Sequence, residues 1–592
     1  MRKSMAKRKK AVSLDSLRHS TAHLLAAAVK EFYPSAKLAI GPAIENGFYY
    51  DIDFGKRSIS EEDLPKIEEK MRELISSWKS FKGREVTPTE ARKIFKDNPY
   101  KKELIDEFSK EGQKITVYTS GDFVDLCRGG HTKNPSLEIK HFRLLSTAGA
   151  YWRGNEKNPM LTRIYGTVFP TKKELDDYLK RQEEAKKRDH RVLGRQLDLF
   201  TFSEEVGAGL PLWTPKGTII RDELEKWAKE TEREWGYQHV VTPHITKEEL
   251  YKISGHLPYY ADDLYSPLDI EGEKYYLKPM NCPHTHMIYK SKKRSYRELP
   301  LRWAEYGTVY RFERSGVLHG LMRVRGFCQN DAHVYVQPEL AVEEFIKVFD
   351  LHRYYYKILG IDDWWVVLGL RDPKNHAKYH GDDEMWRLAE KLSKDALKKA
   401  KVTYEEEMGG AAHYGPKADV YIRSVVGNAY AIGTDQLDLY MPKQFDLKYT
   451  DSDGKEKMPY IIHRAPLGSH ERMVGFLIEH YAGAFPVWLS PVQVVVIPIS
   501  KKFAAYGRKV GKELKNQGVR VEVDNRDATM QAKIREAQTQ KVPYMFIVGE
   551  KEKKKEGVAV RLRDGSDLGV KGVKVAQEKI ASIIKSRSLE IW

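Results

Sequence analysis

Cys282, His333 and His463 lie in three widely separated segments, Lys278-Pro279-Met280-Asn281-Cys282-Pro283, Gln329-Asn330-Asp331-Ala332-His333 and Ile462-His463-Arg464-Ala465. One thiolate and two imidazoles are a borderline-soft donor set that suits zinc. Three protein ligands leave the fourth position open, which marks a working metal rather than a structural one. Ligands this far apart have no diagnostic spacing, so their joint use demands a fold that gathers distant strands and loops.

At 592 residues the chain is too long for one core, and length suggests roughly three to four domains. With 41% hydrophobic and 31% charged residues the composition is that of a soluble globular protein. No apolar run approaches the ~20 residues needed to span a bilayer, so no membrane partner is expected. Three cysteines exclude a disulfide framework and no secretory segment precedes the first helix, which points to a reducing cytoplasm. The net charge of +17 favours a polyanionic partner. Arg2-Lys3 and Lys7-Arg8-Lys9-Lys10 make a short basic tail, read as a solvated arm or an RNA contact.

The organisation reads as a tail (1–13), a mixed α/β block (14–171), a charged helical connector (172–194), a large block (195–488) and a final block (489–592). Residues 14–32 predict a helix, with Ser13 as N-cap and Leu14, Leu17, Leu24 and Leu25 as its apolar stripe. In the last block, Val492–Ile497, Val519–Val523 and Tyr544–Val548 alternate with helices beginning near Lys501 and Gln531. That pattern predicts a small α/β domain with a largely parallel sheet.

Three segments of the large block carry nucleotide chemistry. A helix from Gly217 to about Trp235 leads into a strand, Gln238-His-Val-Val-Thr-Pro243. Leu301–Glu305 runs through Tyr310-Arg311-Phe312-Glu313 to a basic loop ending Arg323-Val-Arg325, and a second strand follows from Gly326 to Asp331. Arg311 and Glu313 have the same parity and so share one sheet face. A guanidinium fork there matches phosphate oxygens, and the carboxylate can accept from an adenine amine. Leu467-Gly468-Ser-His-Glu-Arg472 supplies a glycine for close backbone approach and a second phosphate clamp.

These segments resemble motifs 1, 2 and 3 of class II aminoacyl-tRNA synthetases. Met-Asn-Cys-Pro, Leu-His-Gly-Leu-Met-Arg-Val-Arg-Gly, Tyr414-Gly-Pro-Lys417, Gly433-Thr434-Asp435-Gln436-Leu437-Asp438 and His463-Arg-Ala resemble the threonyl-tRNA synthetase family, over nearly all of the chain beyond the tail. The resemblance implies an α+β multidomain protein: an antiparallel class II sheet flanked by helices, an N-terminal α/β editing domain and a C-terminal α/β anticodon-binding domain. It implies ATP with Mg²⁺, L-threonine and tRNA(Thr) as partners, one Zn²⁺ per subunit on Cys282, His333 and His463, and a homodimer built on motif 1. Arg311, Glu313, Arg323 and Arg472 would act on ATP, with Arg323 at the γ-phosphate or the tRNA end. Gln329, Asp331, Tyr414, Lys417, Thr434 and Gln436 would line the amino-acid and adenylate pocket, Asp331 accepting the threonine hydroxyl. Activation by in-line attack on the α-phosphate needs mostly positioning and charge neutralisation.

A site that ligates a hydroxyl can reject valine by ~10⁴–10⁵, whereas serine lacks only a methyl, worth ~10–200-fold. A proofreading site is therefore expected. His19 and His23 are i and i+4 on the first helix, hence on one face. Asp125-Leu-Cys127-Arg-Gly-Gly-His131 adds a thiol and a third imidazole. From the residues alone this set is a second zinc site or a buried structural cluster. Arg18-His-Ser-Thr-Ala-His-Leu-Leu and Ala39-Ile-Gly-Pro-Ala-Ile-Glu-Asn-Gly-Phe-Tyr-Tyr-Asp resemble the editing domain shared by threonyl- and alanyl-tRNA synthetases. That resemblance implies metal-free hydrolysis of Ser-tRNA, with His19 and Cys127 managing protons and His23, Tyr50, Asp125 and His131 shaping the pocket.

In the last block Arg535, Glu552 and Arg561 sit in strings resembling the family's anticodon readers, each also readable as a surface ion-pair member. Three departures stand out. The chain starts almost directly at the editing block, where relatives often carry a ubiquitin-like domain. His284-Thr285-His286 follows Cys-Pro where Gly-His or His-His is usual, making His286 a competing or bystander imidazole. Asp527-Ala528-Thr529 replaces an Asn-Glu-Lys-like run, which weakens transfer of anticodon contacts there. A zinc hydrolase or RNA-binding regulator would be favoured had Arg311, Glu313 or Arg472 been lost, and all three are present. Activation of serine or alanine is disfavoured by the intact Cys-His-His set.

Overall fold

The computed structural model describes residues 13–592 apart from 376–377 and 426, so the basic tail lies outside the described residues. The chain divides at Glu183 and Glu184 into two compact units. Among the described residues no helix is long and apolar enough to cross a membrane.

The first unit is built on helix α1 (Leu14–Phe32), which buries Leu17, Leu24 and Leu25. Ser13 has the extended backbone of an N-cap, but its side chain makes no capping bond. Helix α1 lies with α2 (Leu64–Ile75) on a sheet whose long strands are β1 (Gly47–Asp53), β2 (His141–Tyr151) and β3 (Met160–Phe169), all antiparallel with β3 in the middle. A smaller sheet (Lys82–Glu85, Thr116–Ser120, Phe123–Leu126) carries Asp125 and ends just before Cys127.

The second unit centres on an eight-stranded sheet. Six strands run antiparallel in the order β4 (Leu301–Tyr310), β5 (Gly326–Val336), β9 (Tyr460–Ala465), β8 (Ala429–Asp438), β7 (Lys417–Arg423) and β6 (Trp364–Leu370), with a short parallel strand at each edge. Alternation along β5 sends Ala332, Val334 and Val336 into a core with helices α3 (Pro215–Glu234), α5 (Ala341–Ile358) and α6 (His470–His480), leaving Gln329, Asp331 and His333 on the opposite face. Helix α4 (Cys282–Lys290) stands over that face.

Three expectations change in detail. The strand at Gln238 pairs only through His239, because Thr242 turns its N–H onto the Glu305 carboxylate (2.7 Å) ahead of Pro243. Strand β4 stops at Tyr310, so Arg311 and Glu313 lie beyond it. Arg311 N–H still bonds to Arg325 O (2.9 Å), extending the ladder by one residue, while Phe312 turns to Asp263. The C-terminal sheet is half parallel: Val521–Val523, Val494–Pro498 and Tyr544–Val548 are parallel, then Gly557–Leu562 and Asp567–Gly572 add an antiparallel hairpin. Thr529 caps the helix Met530–Thr539 by accepting from Ala532 N–H, which accounts for Asp527-Ala528-Thr529 as a helix entry.

Candidate active sites

Across the middle of the large sheet, Trp303, His333, His463, Gln436 and Lys417 are successive cross-strand partners on β4, β5, β9, β8 and β7. Residues in one such row share a face, so two expected metal ligands and two expected substrate contacts are placed side by side by pairing alone. Cys282, at the first turn of α4, completes the group, with the three ligand atoms within 4.8 Å of one another. His463 Nε2–H donates to Asp438 Oδ2 (2.9 Å), which leaves Nδ1 bare; His463 Nδ1 and His333 Nε2 are both buried without a hydrogen-bond partner. Burial pushes His333 well below the ordinary imidazole value, keeping it neutral and fit to donate a lone pair, and it raises the Cys282 thiol. Two orphaned ring nitrogens facing a thiol, one ring fixed by a carboxylate behind it, is the arrangement a zinc ion satisfies. His286 is buried beside them, its Nδ1 2.8 Å from Tyr335 Oη; His286, Asp438 and His463 also form a close group.

The same face opens into a cavity of about 270 Å³ lined by Arg311, Glu313, Arg323, Gln329, Lys417, Thr434, Gln436 and Arg472. Arg311 Nε donates to Pro279 O (3.2 Å), and Arg472 Nη1 to Ala431 O (2.9 Å). Arg323 pairs with Glu313 at 2.9 Å, so the carboxylate expected to face adenine is engaged by a guanidinium here. Burial lowers the proton affinity of Arg472, as do its neighbours Arg311 and Arg323, so three cations crowd a site that favours an anion. Asp331 is buried and accepts from Asn281 Nδ2 (3.0 Å), and burial raises its carboxyl. Tyr414 donates to Gln436 Oε1, and its ring centroid lies 5.1 Å from that of His463, tilted by 38°. His256, absent from the expectations above, is 2% exposed and held by Ser254 Oγ (2.8 Å); burial brings it down to about 4.

In the first unit the structure brings all six expected residues together. Cys127 Sγ lies 3.0 Å from His19 Nε2, 3.3 Å from His131 Nε2 and 3.2 Å from Gly129 N–H. Gly129 has φ +94°, and a Cβ there would fall 2.5 Å from Tyr118 Oη. Burial opposes ionisation, yet the imidazoles of His131, His19 and His23 hold the Cys127 thiol down to about 3. His23 Nδ1–H donates to Asp125 (3.0 Å), whose other oxygen meets Lys101 Nζ at 2.5 Å; Tyr50 donates to Asp125 at 2.5 Å. Asp125 stays ionised despite its burial, held by Lys101 and His23. Lys101, 2% exposed on the helix Pro99–Lys110, was not singled out: its string Pro99-Tyr-Lys-Lys-Glu looks like a solvated charged face. Asp125, Lys101 and Trp78 border a broad cleft beside the cluster.

The C-terminal residues stand apart from one another. Arg535 is exposed on its helix, Glu552 Oε2 caps Gly549 N–H (3.0 Å), and Arg561 lies 3.5 Å from Asp567.

Comparison with known proteins fits these units. Residues 264–481 match the class II tRNA synthetase core domain (G, H, P, S and T), 493–587 an anticodon binding domain, and 115–165 the threonyl and alanyl tRNA synthetase second additional domain. The chain is 49% identical to a threonine–tRNA ligase of Cytophaga hutchinsonii over 93% of this chain and 86% of the relative. It is 50% identical to one from Geobacillus sp. over 93% and 85%. A crystal structure titled as the RNA binding domain of threonyl-tRNA synthetase from Cryptosporidium parvum covers 67% of this chain and 98% of its own, with TM-score 0.64 and 37% identity.

Proposed function

This chain belongs to the threonine–tRNA ligase family of class II synthetases and is an enzyme that joins threonine to its tRNA, and from that premise we propose that it selects threonine with a zinc ion and hydrolyses Ser-tRNA(Thr) in its N-terminal unit. The observation that carries the first half is the pair of orphaned ring nitrogens, His333 Nε2 and His463 Nδ1, facing Cys282 on the sheet face that bears Gln436. Zinc, when bound there, supplies an open Lewis-acid position for the amine and hydroxyl of threonine.

Asp331 accepts the substrate hydroxyl, and Tyr414 holds Gln436 in place beside it. Arg311 and Arg472 neutralise the α-phosphate of ATP, which arrives with Mg²⁺, while the threonine carboxylate attacks in line, the α–β bond breaks and pyrophosphate leaves. Gln329, Lys417 and Thr434 line the adenylate, and Arg323 swings from Glu313 to the γ-phosphate, freeing that carboxylate for the adenine amine. In the N-terminal unit a thiolate held near 3 is too weak a base to deprotonate water. The attacking water loses its proton to an imidazole, His19 or the burial-neutralised His131, as it adds to the seryl ester carbonyl. The ester bond then breaks, the imidazole returns the proton to the departing ribose oxygen, and Cys127 orients both rings. His23, Asp125, Lys101 and Tyr50 fix the floor of that pocket.

A second reading of this cluster, a metal on His19, His23, Cys127 and His131, is favoured by the partnerless His23 Nε2 and by four ligand atoms within 4.8 Å. Metal analysis separates the two: one zinc per subunit supports hydrolysis by the side chains alone, two supports the metal.

The family's anticodon domain binds tRNA through exposed Arg535 more readily than through Arg561 or Glu552, which are already engaged. A homodimer would cover Val241, 90% exposed beside the sheet edge, and the cytoplasm is the expected location. Amino-acid-dependent ATP–pyrophosphate exchange tests the core of the proposal. Exchange with threonine, weaker exchange with serine, none with valine, and loss on chelation are expected; exchange that persists without zinc would overturn it.

A further inference from the structure

His190 opens the short helix His190–Gln196 and its side chain is fully buried. Its Nδ1 lies 2.7 Å from Glu479 Oε1, and its Nε2 lies 3.0 Å from the backbone N–H of Leu321. A backbone N–H can only donate, so Nε2 is the bare nitrogen and Nδ1 carries the proton that Glu479 accepts. The second Glu479 oxygen accepts from Tyr430 Oη at 2.9 Å, which fixes the carboxylate in turn. Asp189, His190 and Glu479 are close enough for a metal, but both ring nitrogens are already engaged, so the group is not a cation site.

What this relay joins is specific. Leu321, Met322 and Arg323 belong to the loop between β4 and β5 and line the 270 Å³ cavity; Glu479 sits on α6, the helix that carries Arg472 in its first turn. Arg472 Nε also donates to Met322 O (3.2 Å), so loop and helix are tied at two points. The loop is shaped to admit the ring: Gly320 has φ +49°, and a Cβ there would fall 2.1 Å from His190 Nε2. We propose that His190 is a positioning residue for ATP: braced by Glu479, it holds the Leu321–Arg323 turn against α6, fixing the spacing at which Arg323 and Arg472 meet the triphosphate. This rests on the reading of the cavity as the nucleotide site.

Two isosteric variants separate positioning from mere packing. His190→Gln places an amide oxygen where Nε2 was and can still accept from Leu321. His190→Asn keeps a donor toward Glu479 and loses the acceptor. In threonine-dependent pyrophosphate exchange, His190→Asn raises KM for ATP about tenfold, the cost of an unmet buried N–H, with KM for threonine and zinc content unchanged; His190→Gln stays within about threefold of the parent. Gly320→Ala, which displaces the ring without touching Glu479, raises KM for ATP in the same way and serves if His190→Asn does not fold. Equal effects of the Asn and Gln variants, or equal rises in KM for threonine and for ATP, would overturn the positioning role. Absence of exchange in the parent protein would instead strike at the nucleotide site itself.

Discussion

The molecule contains two clusters of one cysteine with several histidines, and they are prepared for opposite chemistry. Around Cys127 the sulfur accepts from two imidazoles and a backbone N–H in a half-open site, so it is already an anion. Around Cys282 burial raises the thiol in spite of the neighbouring His463 imidazole, and His333 Nε2 and His463 Nδ1 are buried without a hydrogen-bond partner. The first cluster already surrounds its sulfur with donors; the second leaves two buried lone pairs that the proposed zinc would take up. Residue type does not distinguish them. What does is whether hydrogen-bond donors or lone pairs point at the sulfur.

The largest expected effect falls on the second cluster. His333→Ala should lower threonine-dependent pyrophosphate exchange about a thousandfold, since the Lewis acid and its ordered pocket are lost together, while hydrolysis of Ser-tRNA(Thr) stays within about twofold. Parallel loss of both activities would erase the contrast. The reciprocal variant, Cys127→Ala, should cut Ser-tRNA(Thr) hydrolysis about a hundredfold and leave exchange intact, because His19 and His131 lose the thiolate that orients them for proton transfer.

Next comes stability. Lys101→Met strands the Asp125 carboxylate in a buried site, and breaking such a pair costs about 3 kcal/mol. Differential scanning calorimetry should show the unfolding transition of the N-terminal unit moved to lower temperature; an unchanged thermogram would show that Asp125 does not depend on Lys101. The smallest effect sharpens the electrostatic half. Because Cys127 is held at about 3, its thiolate is complete well below neutrality, and raising the pH adds none. Iodoacetamide labelling of Cys127, followed by peptide mass spectrometry, should be flat between about pH 5 and pH 8. An ordinary thiol would gain about tenfold per pH unit over that range, and such a rise at Cys127 would refute the preformed anion.

Helix α1 was legible in length and in its buried face from leucines at helical spacing and histidines four apart. Leu14, expected in the apolar stripe, is nonetheless 40% exposed because it sits in the first turn, and Ser13 makes no capping bond. The Cys282, His333 and His463 set was legible as chemistry, but no local pattern announces that His333 and His463 are cross-strand partners, since that pairing joins strands 130 residues apart in chain order. Lys101 was hidden among 101 basic residues, because burial of one lysine depends on a tertiary neighbour, Asp125, that spacing does not reveal. The C-terminal hairpin did carry a signal, Asp564-Gly565 between alternating segments, which is the strongest short-range mark of a two-strand turn. The three strands that precede it are parallel, so they alone predict a mostly parallel sheet.

Strand β5 carries a consequence for inheritance. Gln329, Asp331 and His333 share the face that carries the candidate site because each lies two residues from the next. The alternate set, from Cys328 to Val334, faces the core. Exchanging one side chain for another along this stretch damages one contact at a time. Losing or gaining a single codon between Gly326 and His333 would turn the core's residues toward the cavity and His333 into the core, so a change of length here disturbs every contact at once where a substitution disturbs one.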